Sequence, residues 1–423
     1  MIWGMLLIFV VLALLGVNLG VALGLSSIAA VLMSGSFPLV TIAQRFIVGI
    51  NSYTLLAVPL FILAASLMNQ GGITTRLFNF ARACIGHRRG SLGYVNVLAS
   101  MLFAGMSGSA VADAGGLGQI EIKAMNDEGY PIEFSAAITC ASSAIGPIIP
   151  PSIPFLMYAA IAEVSSGDLF IAGVTPGILM GVALMALVWY VAKKNNFPVS
   201  ERQTGSQKLR ALGKGILPLF APAIILGGIM GGIFTPTEAG AVAVVYAAIL
   251  GFFVYKEVTL RDMPTILSDT LITTAVVTFI MAASSGFSLI LVYNRIPQAI
   301  AEAIIALTSN KYIVLMIINV VLLFLGCLME AGVVLTLLTP LFVPIALSLN
   351  IDLIHFGVIM VLNLMIGVVT PPVGMSLYVT SNVAQIKLET LMKAVLPYVA
   401  VLIVVLLLVT YIPGISLWLV RLV

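Results

Sequence analysis

Two interruptions govern what this chain can fold into. Ile145-Gly-Pro-Ile-Ile-Pro-Pro151 and Ile366-Gly-Val-Val-Thr-Pro-Pro372 each place a glycine and a Pro-Pro pair inside long apolar sequence. Proline has no N–H to donate and its ring clashes with the preceding turn, so each segment is expected to be a helix broken by a few unwound residues. Unwound backbone at membrane depth survives only inside protein or against a water-filled cavity. One such break would serve equally well for close helix packing or a kink. A matched pair in the two halves of a chain instead points to a transporter's binding site.

Composition sets the medium. Of the 423 residues 61% are hydrophobic and 8% charged, against about 25% charged in a soluble domain. The mean hydropathy is +1.19. The chain is therefore expected to be an all-α polytopic membrane protein. Apolar runs long enough to span occur at 3–33 (a split pair around Gly16–Gly24 being one reading), 53–70, 166–192, 214–234, 238–255, 268–293 and 388–412. Met1–Leu15 lacks a basic start and a small-residue cleavage site, so it reads as a first membrane helix rather than a removed signal peptide. Leu92–Ala104 and Tyr312–Leu325 are shorter and run into Gly105-Met-Ser-Gly-Ser109 and Gly326-Cys-Leu-Met-Glu-Ala-Gly332. Both are expected to be re-entrant hairpins, with tips near the breaks.

The halves are related. The Pro-Pro pairs lie 221 positions apart, and the same shift carries Phe103, Gly105 and Ala110 onto Phe324, Gly326 and Ala331. It also carries Gly146, Leu156 and Pro176 onto Gly367, Leu377 and Pro397. Arg76, Arg82, His87, Arg88 and Arg89 have the non-basic counterparts Pro297, Ala303, Thr308, Ser309 and Asn310. Positive charge favours the cytoplasmic side, so equivalent loops are expected on opposite faces, making an inverted repeat. The basic linker 193–214, opposed only by Glu201, is expected to be cytoplasmic too. The resulting division is 1–90 (scaffold helices and an arm), 91–192 (hairpin and broken helix), the linker, 215–310 (scaffold and arm) and 311–423 (hairpin and broken helix). The arms, Gln70–Arg89 and Ile296–Asn310, are expected along the membrane surface.

No enzyme constellation, phosphate loop or nucleic-acid-binding basic face is present, so gradient-driven transport is favoured over a pump. Cys84, Cys140 and Cys327 are too scattered for a disulfide framework or a metal site. Carbonyls freed at a break, with a Ser or Thr hydroxyl, suit a hard cation such as Na⁺, and the N-terminus of the following half-helix suits a carboxylate. The expected cation ligands are Gly105, Ser107, Gly146, Ile149 and Pro150 in the first half, and Gly326, Gly367, Thr370 and Val373 in the second. The expected substrate contacts are Ser109, Ser152, Arg295 and Thr380. Asp113 is open between cation coupling and a structural partnership, and Arg295 between substrate attraction and snorkelling. Glu238 is open between function and a helix cap with Thr235 or Thr237, and Glu330 sits in the second tip.

Gly105-Met-Ser-Gly-Ser-Ala110 followed by Ala112-Asp113-Ala-Gly-Gly116 resembles the large membrane subunit (M subunit) of tripartite ATP-independent periplasmic (TRAP) transporters. So do Gly146-Pro-Ile-Ile-Pro-Pro-Ser152, Gly232-Ile-Phe-Thr-Pro-Thr-Glu-Ala239 and Thr370-Pro-Pro-Val-Gly374, and the resemblance covers essentially the whole chain. It implies Na⁺-coupled import of an organic acid, such as a sialic acid or a C4-dicarboxylate, across the bacterial inner membrane. It also implies delivery by a periplasmic substrate-binding protein, a small four-helix membrane subunit as a separate chain, and an elevator motion. The rival readings are a stand-alone ion-coupled carboxylate carrier and a channel-like subunit.

Overall fold

The computed structural model describes residues 2–35, 38–199, 204–308 and 310–422. Glu201 of the basic linker and Ser309, the counterpart of Arg88, lie outside them. The described residues form helices and one isolated bridge, Arg89 to Val199. Eight helical stretches are long and apolar enough to cross a membrane.

The first half opens with α1 (Ile2–Leu14), α2 (Leu19–Ser34), α3 (Leu39–Ile50), α4 (Ala57–Gln70) and α5 (Ile73–Ile85). The run at 3–33 is thus two helices. Gly16 takes φ +78°, and the Asn18 side chain caps α2 by accepting from the Gly20 N–H at 3.0 Å. There follow α6 (Ser91–Ser107), α7 (Ala110–Gly115), α8 (Leu117–Asp127), α9 (Ile132–Ser143), α10 (Ile153–Ala162) and α11 (Ser166–Lys194). The second half holds α12 (Gly205–Met230), α13 (Pro236–Ala248), α14 (Met263–Tyr293), α15 (Ile296–Leu307) and α16 (Lys311–Leu328). It closes with α17 (Ala331–Ser348), α18 (Leu353–Val368), α19 (Met375–Ala384), α20 (Leu388–Tyr411) and α21 (Gly414–Val420).

The shift of 221 acts on elements as well as residues. It carries Ile132, the start of α9, onto position 353, where α18 begins, and places α6 over all but the first residue of α16. Pro176 and Pro397 both lie inside long helices, α11 and α20. Pro150–Pro151 and Pro371–Pro372 are both cis. The copies differ where single residues differ. Pro147 has no N–H for a helical bond, and α9 stops at Ser143. Its counterpart is Val368, so α18 runs on to that residue and the second gap is shorter. Gly115 and Gly116 separate α7 from α8, whereas Thr336 and Leu337 let α17 continue. The second short helix, expected to end at Leu325, runs further. It continues through Gly326–Leu328, and at 18 residues α16 is itself of spanning length.

α2 and α3 pack on α14, α4 on α13, and α5 on α12. Between the halves the packing crosses over: α7 rests on α19, and α10 on α17. The Tyr158 hydroxyl donates to the Leu353 carbonyl at 2.8 Å, tying α10 to the start of α18. Two basic connections meet at one end, where Arg89 Nη1 donates to Asn196 Oδ1 at 2.7 Å and the Gly90 N–H to the Pro198 carbonyl at 3.2 Å. Arg76 pairs with Glu257 at 2.6 Å and Arg82 with Glu128, fixing α5 at both ends.

Van der Waals packing replaces the hydrophobic effect as the helix-to-helix attraction in lipid, so backbone approach matters. A close backbone approach joins α16 and α18, where a Cβ on Gly367 would lie 2.6 Å from the Gly326 carbonyl carbon. Gly367→Ala should cost about 1–3 kcal/mol by overpacking and lower the melting temperature of the purified protein. Gly227→Ala, whose Cβ meets nothing within 4 Å, should leave it unchanged.

Candidate functional site

Each half brings a tip against a break. In the first, Gly108 closes α6 with φ +60°, and a Cβ there would lie 2.8 Å from the Pro151 carbonyl oxygen. Both the backbone angle and the space call for glycine. The Ser107 hydroxyl donates to Asp113 Oδ1, and the Ser109 N–H donates to Ser107 Oγ at 3.3 Å. Asp113 is 2% exposed, and its Oδ2 has no hydrogen-bond partner among the described residues. Gly146 lies directly against that carboxylate, leaving no room for a Cβ. Ser152 Oγ caps α10, accepting from the Phe155 N–H at 3.2 Å and donating to the Pro147 carbonyl. Among the described residues the carbonyls of Gly146, Ile149 and Pro150 accept no backbone hydrogen bond.

In the second half the Gly374 N–H donates to the Cys327 carbonyl at 3.0 Å, fastening break to tip. Gly374 has φ +43°, and a Cβ there would crowd the Thr370 and Val368 carbonyl oxygens at 2.8 and 2.9 Å. The Thr370 hydroxyl donates to the Ile366 carbonyl at 2.6 Å. Glu330 immediately precedes α17, and its side chain makes no cap. Val373 and Glu330 both line a side cavity of about 290 Å³ beneath α14.

A cavity of about 300 Å³ lies between the tips. Tip residues Ser107–Ala112 and Glu330–Gly332 line it together with Ser66 and Asn69 of α4 and Thr273 of α14. Ile153, Ala331 and Met375, the first residues of α10, α17 and α19, also face it. No Lys, Arg or His is among the lining residues. Helix N-termini carry partial positive charge and unpaired N–H groups, and the one carboxylate among the lining residues is that of Glu330.

The residues expected from sequence thus fall into groups. Gly105, Ser107, Gly146, Ile149 and Pro150 gather at the first junction, where a Cβ on Gly105 would lie 3.7 Å from the Pro150 carbonyl oxygen. Gly326, Gly367, Thr370 and Val373 belong to the second. Of the four expected substrate contacts only Ser109 lines the cavity. Ser152 is fully buried as a cap. Thr380 is fully buried, its hydroxyl given to the Ser376 carbonyl at 2.7 Å. Arg295 is exposed between α14 and α15, with φ +55°. Glu238 completes a capping box: its Oε2 accepts from the Thr235 N–H at 2.8 Å, and Thr235 Oγ1 accepts from the Glu238 N–H at 3.3 Å. Ser66, Asn69 and Thr273 were not foreseen. Ser66 and Asn69 lie on one apolar helix and Thr273 among several Thr and Ser residues of α14, so the sequence offers only the general signal that polar residues in membrane helices face a bundle interior.

The family model "Tripartite ATP-independent periplasmic transporter, DctM component" matches residues 6–415. The sialic acid TRAP transporter large permease protein SiaM of Vibrio cholerae is 44% identical over 402 residues, covering 95% of this chain and 94% of that protein. The C4-dicarboxylate TRAP transporter large permease protein DctM of Pseudomonas aeruginosa is 42% identical over 396 residues, covering 94% and 93%. In fold the chain is similar to the Alcanivorax borkumensis YdaH transporter, with a TM-score of 0.67 over 90% of this chain and 88% of that one at 15% identity. The chain therefore belongs to the DctM component family of TRAP transporters, the large permease subunits, and is a multi-pass protein of the bacterial inner membrane rather than an enzyme.

Proposed function

We propose that this chain is the solute-conducting subunit of a sodium-driven importer of an organic acid. The observation that carries the proposal is the cavity faced by the first residues of α7, α10, α17 and α19, with Glu330 its one carboxylate and no basic side chain. Such ends hold carboxylates through backbone N–H groups and helix dipoles. The two junctions supply the rest. Freed carbonyls with the Ser107 and Thr370 hydroxyls, and in the first half the unpartnered Asp113 oxygen, form oxygen donor sets suited to Na⁺. The bound ion would neutralise Asp113 and hold tip against break. Relatives named for sialic acid and for C4-dicarboxylates support a carboxylate cargo.

In this proposal α6 with α7–α8 and α16 with α17 are re-entrant hairpins. They move with the broken helices as one transport body, 91–192 and 311–423, against a scaffold of 1–90 and 215–310. The crossed packing of α7 on α19 and α10 on α17 supports motion as one body. The meeting of the two basic connections at Arg89 and Asn196 supports a shared cytoplasmic face and an inverted repeat. A periplasmic binding protein delivers the acid, and a small membrane subunit completes the permease.

The proposal is tested in liposomes holding this chain with the small subunit. Uptake of a candidate acid should require both the binding protein and an inward sodium gradient; uptake without the binding protein would favour a stand-alone carrier. Asp113→Asn should weaken apparent sodium affinity about tenfold or more, since a hydrogen bond or ligand contact to a charged group is worth about 1.5–3 kcal/mol. Ser107→Ala and Thr370→Val each lose a neutral hydroxyl, worth about 0.5–1.5 kcal/mol, and should shift it a few-fold. Unchanged sodium dependence in all three would refute these assignments. Asn69→Ala and Thr273→Ala should instead raise the KM for the acid and leave sodium affinity alone.

A further inference from the structure

Behind the first junction, away from the cavity, lies a buried polar cluster that the transport reading does not use. Glu121 of α8 is 1% exposed. Asn96 of α6 donates from Nδ2 to Glu121 Oε2 at 2.8 Å and to Thr139 Oγ1 of α9 at 2.6 Å. Ser142 donates to Asn96 Oδ1 at 2.8 Å and accepts from Ser100 at 3.0 Å. Glu121 Oε1 has no partner among the described residues.

The second half contains its own control. Ser142 maps onto Asn363, which donates at 2.9 Å to Asn319 of α16, and Asn319 donates at 3.0 Å to Thr410. There the hairpin helix is latched to the broken helix by amides and a hydroxyl alone. The counterpart of Glu121 is Phe342. A carboxylate is therefore not required for the latch.

Among the described residues no cation pairs with Glu121. On α8 itself Lys123 and Asp127 are exposed, and on α9 Glu133 is exposed while Cys140 is buried. α5 presents Arg76 and Arg82, which are paired with Glu257 and Glu128, and an exposed Cys84. α6 presents Tyr94 and α19 an exposed Tyr378, leaving buried Asp113 of α7 as the nearby charge, and it is of like sign. An isolated buried carboxylate neutralises itself by binding a proton. The cluster is already closed at hydrogen-bond distances, with one oxygen left over, which fits a single hydrogen and not a hydrated ion.

We propose that Glu121 is a proton-binding site of the transport body, taking H⁺ from water to form a carboxylic acid and returning it as the body moves. No other bond is made or broken. The cycle rests on the transport proposal, but the site can be read without it. Infrared difference spectra of the purified full chain in liposomes, acid minus alkaline, should show a buried carboxylic C=O band. The band should vanish on alkalinisation, be absent from Glu121→Gln and persist in Asp113→Asn. Glu121→Asp should shift it, which gives a second reading where the Gln variant does not fold. A band that survives alkaline medium, is unchanged in Glu121→Gln or Glu121→Asp, or is lost in Asp113→Asn would overturn the proposal. Absence of sodium-driven uptake would refute the transport reading and leave this band unaffected.

Discussion

An unpaired carbonyl in an apolar interior is the constraint from which this structure follows. Each break removes helical partners from several backbone oxygens, and a buried polar group without a partner costs a few kcal/mol. The chain answers with backbone brought against backbone. Gly108 lies under the Pro151 carbonyl, Gly326 against Gly367, and the Gly374 N–H on the Cys327 carbonyl. Such approach is available only to residues without a side chain, so the tips are glycine-rich for the same reason that the breaks are proline-rich. What is left unsatisfied after this pairing, notably at Gly146, Ile149 and Pro150, is oxygen and is concentrated at two places.

The crossed packing gives those two places a common fate. α7 follows the first tip and rests on the second broken helix, while α17 follows the second tip and rests on the first. Neither half can complete its surroundings alone. A displacement at one junction is therefore felt at the other through packed helices and not through a flexible loop. The proposed transport body needs that mechanical link.

Much of this was legible because proline, glycine and internal repetition act locally. The start of α18 falls where the repeat puts it, and Pro147 against Val368 accounts for the unequal breaks. What the sequence could not disclose is rotational. Whether Ser66, Asn69 or Thr273 faces a cavity or lipid depends on how α4 and α14 are turned, and packing sets that. Arg295 drew notice as a cation after an apolar run, yet a positive-φ turn carries it to the surface. Thr380 and Ser152 spend their hydroxyls on nearby backbone carbonyls, as Ser and Thr in membrane helices commonly do. For Glu238 the sequence favours a cap over a functional acid, and the reciprocal bonds with Thr235 make it one.

The absence of a basic side chain from the lining of the cavity bears on how an anion could be both held and released. A desolvated guanidinium would bind a carboxylate through charge-assisted, bidentate bonds whatever the helices around it do. Helix ends offer about half a charge each, and their effect falls off within one turn. Four helices, α7, α10, α17 and α19, begin at this cavity, with both tips seated on their breaks. The placement of those helix ends rests on the same glycine contacts that seat each tip on its break. Under the proposed function, an acid held by helix ends and a cation held by the junctions would be linked through these contacts without touching one another.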